Sequence, residues 1–458
     1  MTSEEMKKLE YNKKTVYESK DQAAIDAAYA YAEGYTRFLD SSKTEREAVI
    51  SAVKLAEAEG FTEWKLGDPI VKGGKYYLNN RGKNLFLFSV GTESPAEGIR
   101  ISAAHIDSPR LDLKQVPLYE ESGLCYLKTH YYGGIRKYQW LALPLALHGR
   151  VVRADGEKVD VVIGEAEDDP VFYITDLLPH LGAKDNAKPL GDAVPAEKLN
   201  LLTGSRPAGE NDGVKLNILR ILNEKYGISE EDFLSAELSA VPAGRARDCG
   251  LDRSMIASYG HDDRVCAYPA LTALFESAGG PHTLICILAD KEEVGSDGNT
   301  GMQCELMLDI IDEISKAAGC SPAAVRSASL CLSADVSAAF DPNFAEAFEK
   351  RNTAILSSGV VLTKYTGSRG KSGTNDASAE YIGRLRKIMA EDSVVWQAGE
   401  LGRVDYGGGG TVAKFISKHN IETVDLGVPV LSMHAPCEVI SKVDLYEAHR
   451  AFSAFNRY

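Results

Sequence analysis

The strongest constraint in this sequence is a set of short apolar runs that stop abruptly on ligand-competent residues. "IRISAAHID" ends on His105 and Asp107, "TLICILADKEE" on Glu292 and Glu293, and "SLCLSAD" on Asp335. Runs of this length without polar alternation read as strands covered on both faces. Such strands build open α/β sheets, and ligands collect beyond their carboxyl ends. Between them lie helical patterns such as "CELMLDIIDEISKAAG" and "DASAEYIGRLRKIMAE", giving the alternation of an α/β fold. Two further segments carry the same residue types. "VPVLSMHAP" delivers His434, and "YGHDDRVCAYPALTALFES" puts Asp262 and Asp263 just before a helix that begins near Val265. All five segments are expected to end in one sheet.

At 458 residues the chain exceeds one ordinary core, so two domains are expected, one inserted in the other. Residues 20–60 carry apolar positions at helical spacing and read as two amphipathic helices, the second closed by Gly60. From 113 to 250 the texture changes to short β-like runs, many prolines and a polar loop. This block reads as a separate unit rich in antiparallel sheet. The α/β domain then comprises residues 1–112 and 251–458. "YGGGGTVAKFISKHN" is a Gly-rich turn opening a helix, but it lacks the Lys-Ser/Thr of a P-loop and the spacing of a dinucleotide fingerprint.

A formal net charge of −15 argues against a nucleic-acid partner, which calls for a basic face. Eight scattered cysteines with no Cys-x-x-Cys pair point to a reducing compartment without a disulfide framework. The first twenty residues are polar and do not read as a signal peptide. No apolar stretch approaches the ~18 residues of a membrane span. A cytoplasmic location and no membrane partner are the expectations.

The residue types at the five segments suit one chemistry. Two imidazoles and several carboxylates, with no clustered thiolates, do not match a structural zinc site. A pair of divalent ions ~3.5–4 Å apart calls for one bridging carboxylate plus carboxylate and imidazole ligands on each side. Hydrolysis also calls for a carboxylate that is not a ligand, to take a proton from water. Adjacent glutamates can divide those roles. Residues two apart on an extended segment share a face, so Asp107 is placed to fix the tautomer of His105.

The ordered segments "AAHIDSPRLDLK", "GHDDRVCAYPAL", "DKEEVGSDGNTGMQ", "LSADVSAAFDPN" and "LSMHAPCEVI" resemble the aspartyl aminopeptidase family of dinuclear zinc exopeptidases, and most of all its bacterial members. The resemblance spans nearly the whole chain. It implies a mixed central sheet with helices on both faces, and a dimerisation domain at 113–250. It implies that His105 and Asp335 hold one zinc, that Glu293 and His434 hold the other, and that Asp262 bridges. The Asp262–Asp263 peptide is often cis in relatives. Glu292 would be the general base and Asp107 would support His105. His148 would reach a neighbouring subunit's active site and steady the oxyanion. Peptides would be the substrates, and dimers would assemble into a twelve-subunit shell. Cobalt or manganese can replace zinc at carboxylate–imidazole sites.

Two departures from the family bear on specificity. Asp341 stands where the animal-type enzymes carry a histidine, and Lys371 stands where a tyrosine is expected. Lys364 matches the family lysine that attracts an acidic side chain. An acidic N-terminal residue is therefore one option among several. Two rival readings use the same residues. A carboxypeptidase or N-acyl amino acid deacylase would recruit Arg369, Lys371 or Arg403 for the substrate carboxylate. A non-catalytic shell protein would keep the fold without turnover.

Overall fold

The computed structural model describes residues 1–7 and 9–458. At its centre is a nine-stranded mixed sheet. Its middle strands, Leu284–Ala289, Arg100–His105, Leu330–Ser333 and Glu422–Gly427, run parallel in that order. Asn84–Ser89 joins antiparallel on one side and Val360–Thr363 on the other. Every residue of Leu284–Ala289 and of Arg100–His105 is buried. Leu284, Cys286 and Leu288 enter one core, together with the helices Gln22–Asp40, His261–Ser277 and Lys442–Arg457. Ile285, Ile287 and Ala289 enter a second core against the helix Leu306–Ala317. Successive side chains of a strand point to opposite faces. With both faces covered, neither can be polar, and that is the origin of the unbroken apolar runs.

A second sheet holds seven antiparallel strands that lie between Arg110 and Pro242 in the chain. The strand Ala236–Pro242 pairs with both Arg110–Glu121 and Pro144–Val152, which closes six strands into a ring. This unit has its own core, including Leu111, Leu127, Leu147 and Val241.

A third sheet corrects the expectation of a single one. Five strands, Arg247–Cys249, Met255–Ser258, Glu438–Ser441, Pro429–Leu431 and Ser337–Ala338, pair separately from the central sheet. Of the five ligand-bearing segments, three leave the central sheet. His434 lies in the connection within the small sheet, and Asp262 opens the helix His261–Ser277. An apolar run shows that a strand is buried; it does not show which neighbour it bonds.

The junction between the second sheet and the α/β domain is polar. The helix Glu45–Ala58 opens with a capping box: Glu47 N–H donates to the Thr44 hydroxyl, and Thr44 N–H donates to Glu47 Oε2. The other oxygen of Glu47 accepts from His148 Nδ1 at 2.8 Å. His148 Nε2 lies 3.1 Å from Glu165. Burial alone would lower the His148 pKa, but the paired Glu165 and Glu47 outweigh it and push it up to about 9.

A raised folded pKa stabilises fully below the unfolded imidazole value of ~6.5, and the gain is lost as pH rises through about 9. A shift of this size corresponds to roughly 3 kcal/mol. The melting temperature is therefore expected to fall by several degrees between pH 6.5 and 9.5, and this slope is expected to flatten in His148→Gln. Calorimetry at both pH values checks it; equal slopes in the two proteins would contradict the junction's role.

Candidate metal centre

His105 closes the central strand Arg100–His105, and Glu292 and Glu293 follow Leu284–Ala289 in a single turn, Glu292–Val294. That turn is bracketed by left-handed backbone at Lys291 (φ 65°) and Gly295 (φ 96°). The chain thus reverses at once and leaves both carboxylates at the strand ends. Asp335 follows the strand Leu330–Ser333. The Asp262–Asp263 peptide is cis.

These residues converge. His105 Nε2 lies 3.1 Å from Asp262 Oδ1 and 3.7 Å from Asp335 Oδ1. His434 Nε2 lies 3.3 Å from Asp262 Oδ2 and 3.6 Å from Glu293 Oε1. Ligand atoms of His105, Glu292 and Asp335 fall within 4.8 Å of one another, as do those of His105, Asp262 and Glu293. The outer nitrogens of both imidazoles are occupied. His105 Nδ1 donates to the Asp107 backbone carbonyl at 3.0 Å, with Asp107 Oδ1 at 3.3 Å. His434 Nδ1 donates to the Gly134 carbonyl at 2.7 Å. Nδ1 therefore carries a proton in each ring, and each Nε2 faces carboxylate oxygens.

An imidazole nitrogen and carboxylate oxygens this close need a cation between them, a proton or a metal ion. Asp262 Oδ1 and Glu293 Oε1 are buried with no hydrogen-bond partner, which is costly for a carboxylate oxygen. The donor set of imidazole and carboxylate suits zinc. The residues therefore fit a metal ion. Electrostatics agree. Burial, then the nearby Asp335, pushes the Glu292 carboxyl up to about 8. Burial and Asp262 push Glu293 well above the usual range. Burial would also raise Asp262, but His105 and His434 hold it well below the usual carboxylate range.

Asp107 does more than orient His105. Its fully buried carboxylate accepts the backbone N–H groups of Glu292 at 3.1 Å and Glu293 at 3.2 Å, and the Tyr132 hydroxyl at 2.8 Å. Glu438 plays a matching part on the other side. One of its oxygens accepts the Asp262 N–H at 3.0 Å and the other the His434 N–H at 2.8 Å. Glu438 was not among the sequence candidates. In "HAPCEVI" it reads as an ordinary solvated acid, yet it is 2% exposed.

The centre opens into a cleft of about 540 Å³ lined by Asp262, Glu292, Glu293, Asp335 and His434. Lys371 also lines it, but its ammonium pairs with Asp376 at 2.9 Å and sits over the Tyr365 ring. Lys364 is not brought to the cleft wall; it pairs with Asp376 at 2.7 Å. The cleft cations without a carboxylate partner among the described residues are Arg369, Arg403 and Lys414. Lys414 lies in the short helix Ala413–Ser417 that the Gly-rich turn opens. The structure does not bring His148 to this site. It is 2% exposed, with both ring nitrogens engaged by carboxylates of its own chain. His261 is likewise structural, held by Tyr35 and the Ile256 carbonyl.

Imidazoles and carboxylates gathered beyond the carboxyl ends of parallel strands define a metal-dependent enzyme. Comparison with known proteins makes the class specific. The family model described as "Aminopeptidase I zinc metalloprotease (M18)" matches residues 38–456. A Clostridium acetobutylicum protein, "Probable M18 family aminopeptidase 1", is 49% identical over 96% of this chain and 97% of its own. A crystal structure of an M18-family aminopeptidase from Thermotoga maritima superposes with a TM-score of 0.92, at 41% identity, over 98% of this chain and 99% of that one. The mApe1 dodecamer of S. cerevesiae, 20% identical, shares the fold over 93% of this chain and 96% of its own, with a TM-score of 0.77. The chain belongs to the M18 family of zinc metalloproteases, and it is a zinc-dependent aminopeptidase.

Replacing Glu438 with Gln leaves one backbone N–H facing an amide instead of a carboxylate. Outer residues of this kind typically carry 10–100-fold in metal affinity. Glu438→Gln is expected to weaken zinc binding by about that factor while far-UV dichroism stays unchanged. Titration with a competing chelator reads it, and wild-type affinity would contradict the assignment.

Proposed function

We propose that this chain removes the N-terminal residue of peptides at a two-zinc centre with Glu292 as general base. The observation that carries the reading is Asp262, whose two oxygens face two different imidazoles. A carboxylate so placed is built to bridge. His105 and Asp335 would hold one zinc, Glu293 and His434 the other. Cobalt or manganese would serve as substitutes.

Zinc, when bound, supplies Lewis acidity toward water and the scissile carbonyl. The protein's own groups do the rest. Glu292 lines the cleft beside His105 and Asp335, and on this reading it stays off the metal. It takes the proton of the attacking water and returns it to the departing amine. Asp107 holds the backbone of both glutamates and the tautomer of His105. Gly134 holds the tautomer of His434. Arg369, Arg403 and Lys414 give the cleft a cationic wall, which supports binding of an acidic N-terminal side chain.

Residues 113–250 are read as the dimerisation domain of a larger homo-oligomer; the mApe1 structure that shares the fold is a dodecamer. The exposed Leu177, Leu178 and Leu181 on this unit support it. Among the described residues no helix is long and apolar enough to cross a membrane. All eight cysteines are free, which supports a reducing, cytoplasmic setting.

The test is a panel of glutamyl, leucyl and lysyl peptides with zinc, and N-acetylated peptides as controls. Free-amine peptides are expected to be cleaved and acetylated ones spared. Glu292→Gln is expected to lower kcat by at least ~10²–10³-fold with zinc content unchanged. Activity confined to acetylated peptides would contradict the reading. Within it, Lys414→Ala is expected to lower kcat/KM for the glutamyl peptide about tenfold relative to the leucyl one, the loss of a single charge-assisted contact. An unchanged ratio would remove Lys414 from substrate selection.

A further inference from the structure

We infer that residues 132–134, the turn leaving the strand Leu124–Tyr132 of the second sheet, position the zinc centre from outside it. The inference rests on the assignment of Glu292 as base and of Glu293 and His434 as ligands. Every ligand of the centre comes from the α/β domain. The turn comes from the inserted unit, and its three consecutive residues each touch a different part of the centre.

Tyr132 comes first. Its hydroxyl donates to Asp107 Oδ2 at 2.8 Å, the same oxygen that accepts the Glu293 N–H. Its ring packs against the Arg110 guanidinium, 4.1 Å from the ring centre. Arg110 is itself clamped by Glu45 and Asp112, each at 2.8 Å. The phenol therefore cannot swing away from Asp107 without breaking that stack. Tyr132 does not line the cleft. It acts through Asp107 and is a positioning residue.

Gly133 comes next, at φ 74°. A Cβ there would stand 3.2 Å from Glu293 Cβ and 3.1 Å from Glu293 Oε2. The absence of a side chain lets the turn press on Glu293 and limit where its carboxylate can point. Gly134 follows, and its carbonyl accepts the Nδ1–H of His434 at 2.7 Å. That bond directs Nε2 toward Asp262 and Glu293. A Cβ on Gly134 would come within 3.2 Å of His434 Nδ1. The pieces act on one side of the centre: the base's backbone, a ligand carboxylate and a ligand imidazole. The inserted unit thereby helps set the catalytic geometry, whatever else it binds.

Two variants and one control test this. Tyr132→Phe removes only the hydroxyl. It is expected to lower kcat about tenfold or more and weaken zinc binding about tenfold, typical of a lost outer-layer bond, with KM for the peptide unchanged. Gly133→Ala is compared with Gly123→Ala. Gly123 has nearly the same backbone angle, φ 76°, and nothing within 4 Å of its would-be Cβ. The pair shares the left-handed strain and differs in the push on Glu293. Gly133→Ala is expected to weaken zinc binding at least tenfold by chelator competition, with Gly123→Ala like wild type.

If Gly133→Ala binds zinc as Gly123→Ala does, or if Tyr132→Phe keeps wild-type kcat and zinc affinity, the inference is overturned. Should Gly133→Ala fail to fold, Tyr132→Phe decides alone. Failure of the underlying reading looks different: Glu292→Gln would then retain activity, while the zinc titrations of the turn variants need no turnover at all.

Discussion

Burying carboxylates together is among the most expensive arrangements a protein can adopt, and this molecule is organised around one. Asp107, Asp262, Asp263 and Glu438 are essentially inaccessible to solvent, the Glu293 side chain nearly so, and Asp335 is partly buried. A buried anion survives only with paired charge or with several hydrogen bonds. The acids divide on that criterion. Asp107 and Glu438 spend their oxygens on backbone N–H groups. Asp262, Asp263 and Glu293 keep at least one oxygen free of any donor. The first pair builds the frame, and of the rest Asp262 and Glu293 face the imidazoles, where a cation would sit. On the proposed reading, two zinc ions would bring four positive charges to this cluster.

The fold follows from the need to present those acids at one point. Parallel strands end at the same edge of the sheet, so His105, the two glutamates and Asp335 arrive together from distant parts of the chain. Asp262 and His434 are brought in by the neighbouring five-stranded sheet, and Glu438 binds the backbone of both. The inserted unit adds the Tyr132 hydroxyl and the Gly134 carbonyl from a third direction. Three sheets thus meet at a single group of side chains.

Much of this is legible in the sequence, for physical reasons. Strands covered on both faces must be apolar throughout, so "TLICILAD" and "IRISAAHID" declare themselves, and the first polar residues after them mark the functional edge. The rest is hidden because it depends on pairing rather than pattern. Nothing in "VPVLSMHAP" says that its strand bonds to Glu438–Ser441 and not to the central sheet. Glu438 reads as a surface acid until its neighbours are known. "HYYGG" shows β texture, but not that its glycines lie against Glu293 and His434. The setting of His148 is equally hidden. A histidine at the end of an apolar run looks available, and only the two carboxylates beside it show that it pins a junction. Lys364 matches a family position, yet Asp376 claims it.

The central claim is that Asp262 bridges two ions. Crystals of the zinc-loaded protein, measured on both sides of the zinc absorption edge, test it most directly. The account predicts two anomalous peaks per subunit, one on each side of the Asp262 carboxylate and ~3.5–4 Å apart, the first beside His105 and the second beside His434. A single peak, or peaks away from Asp262, would contradict it.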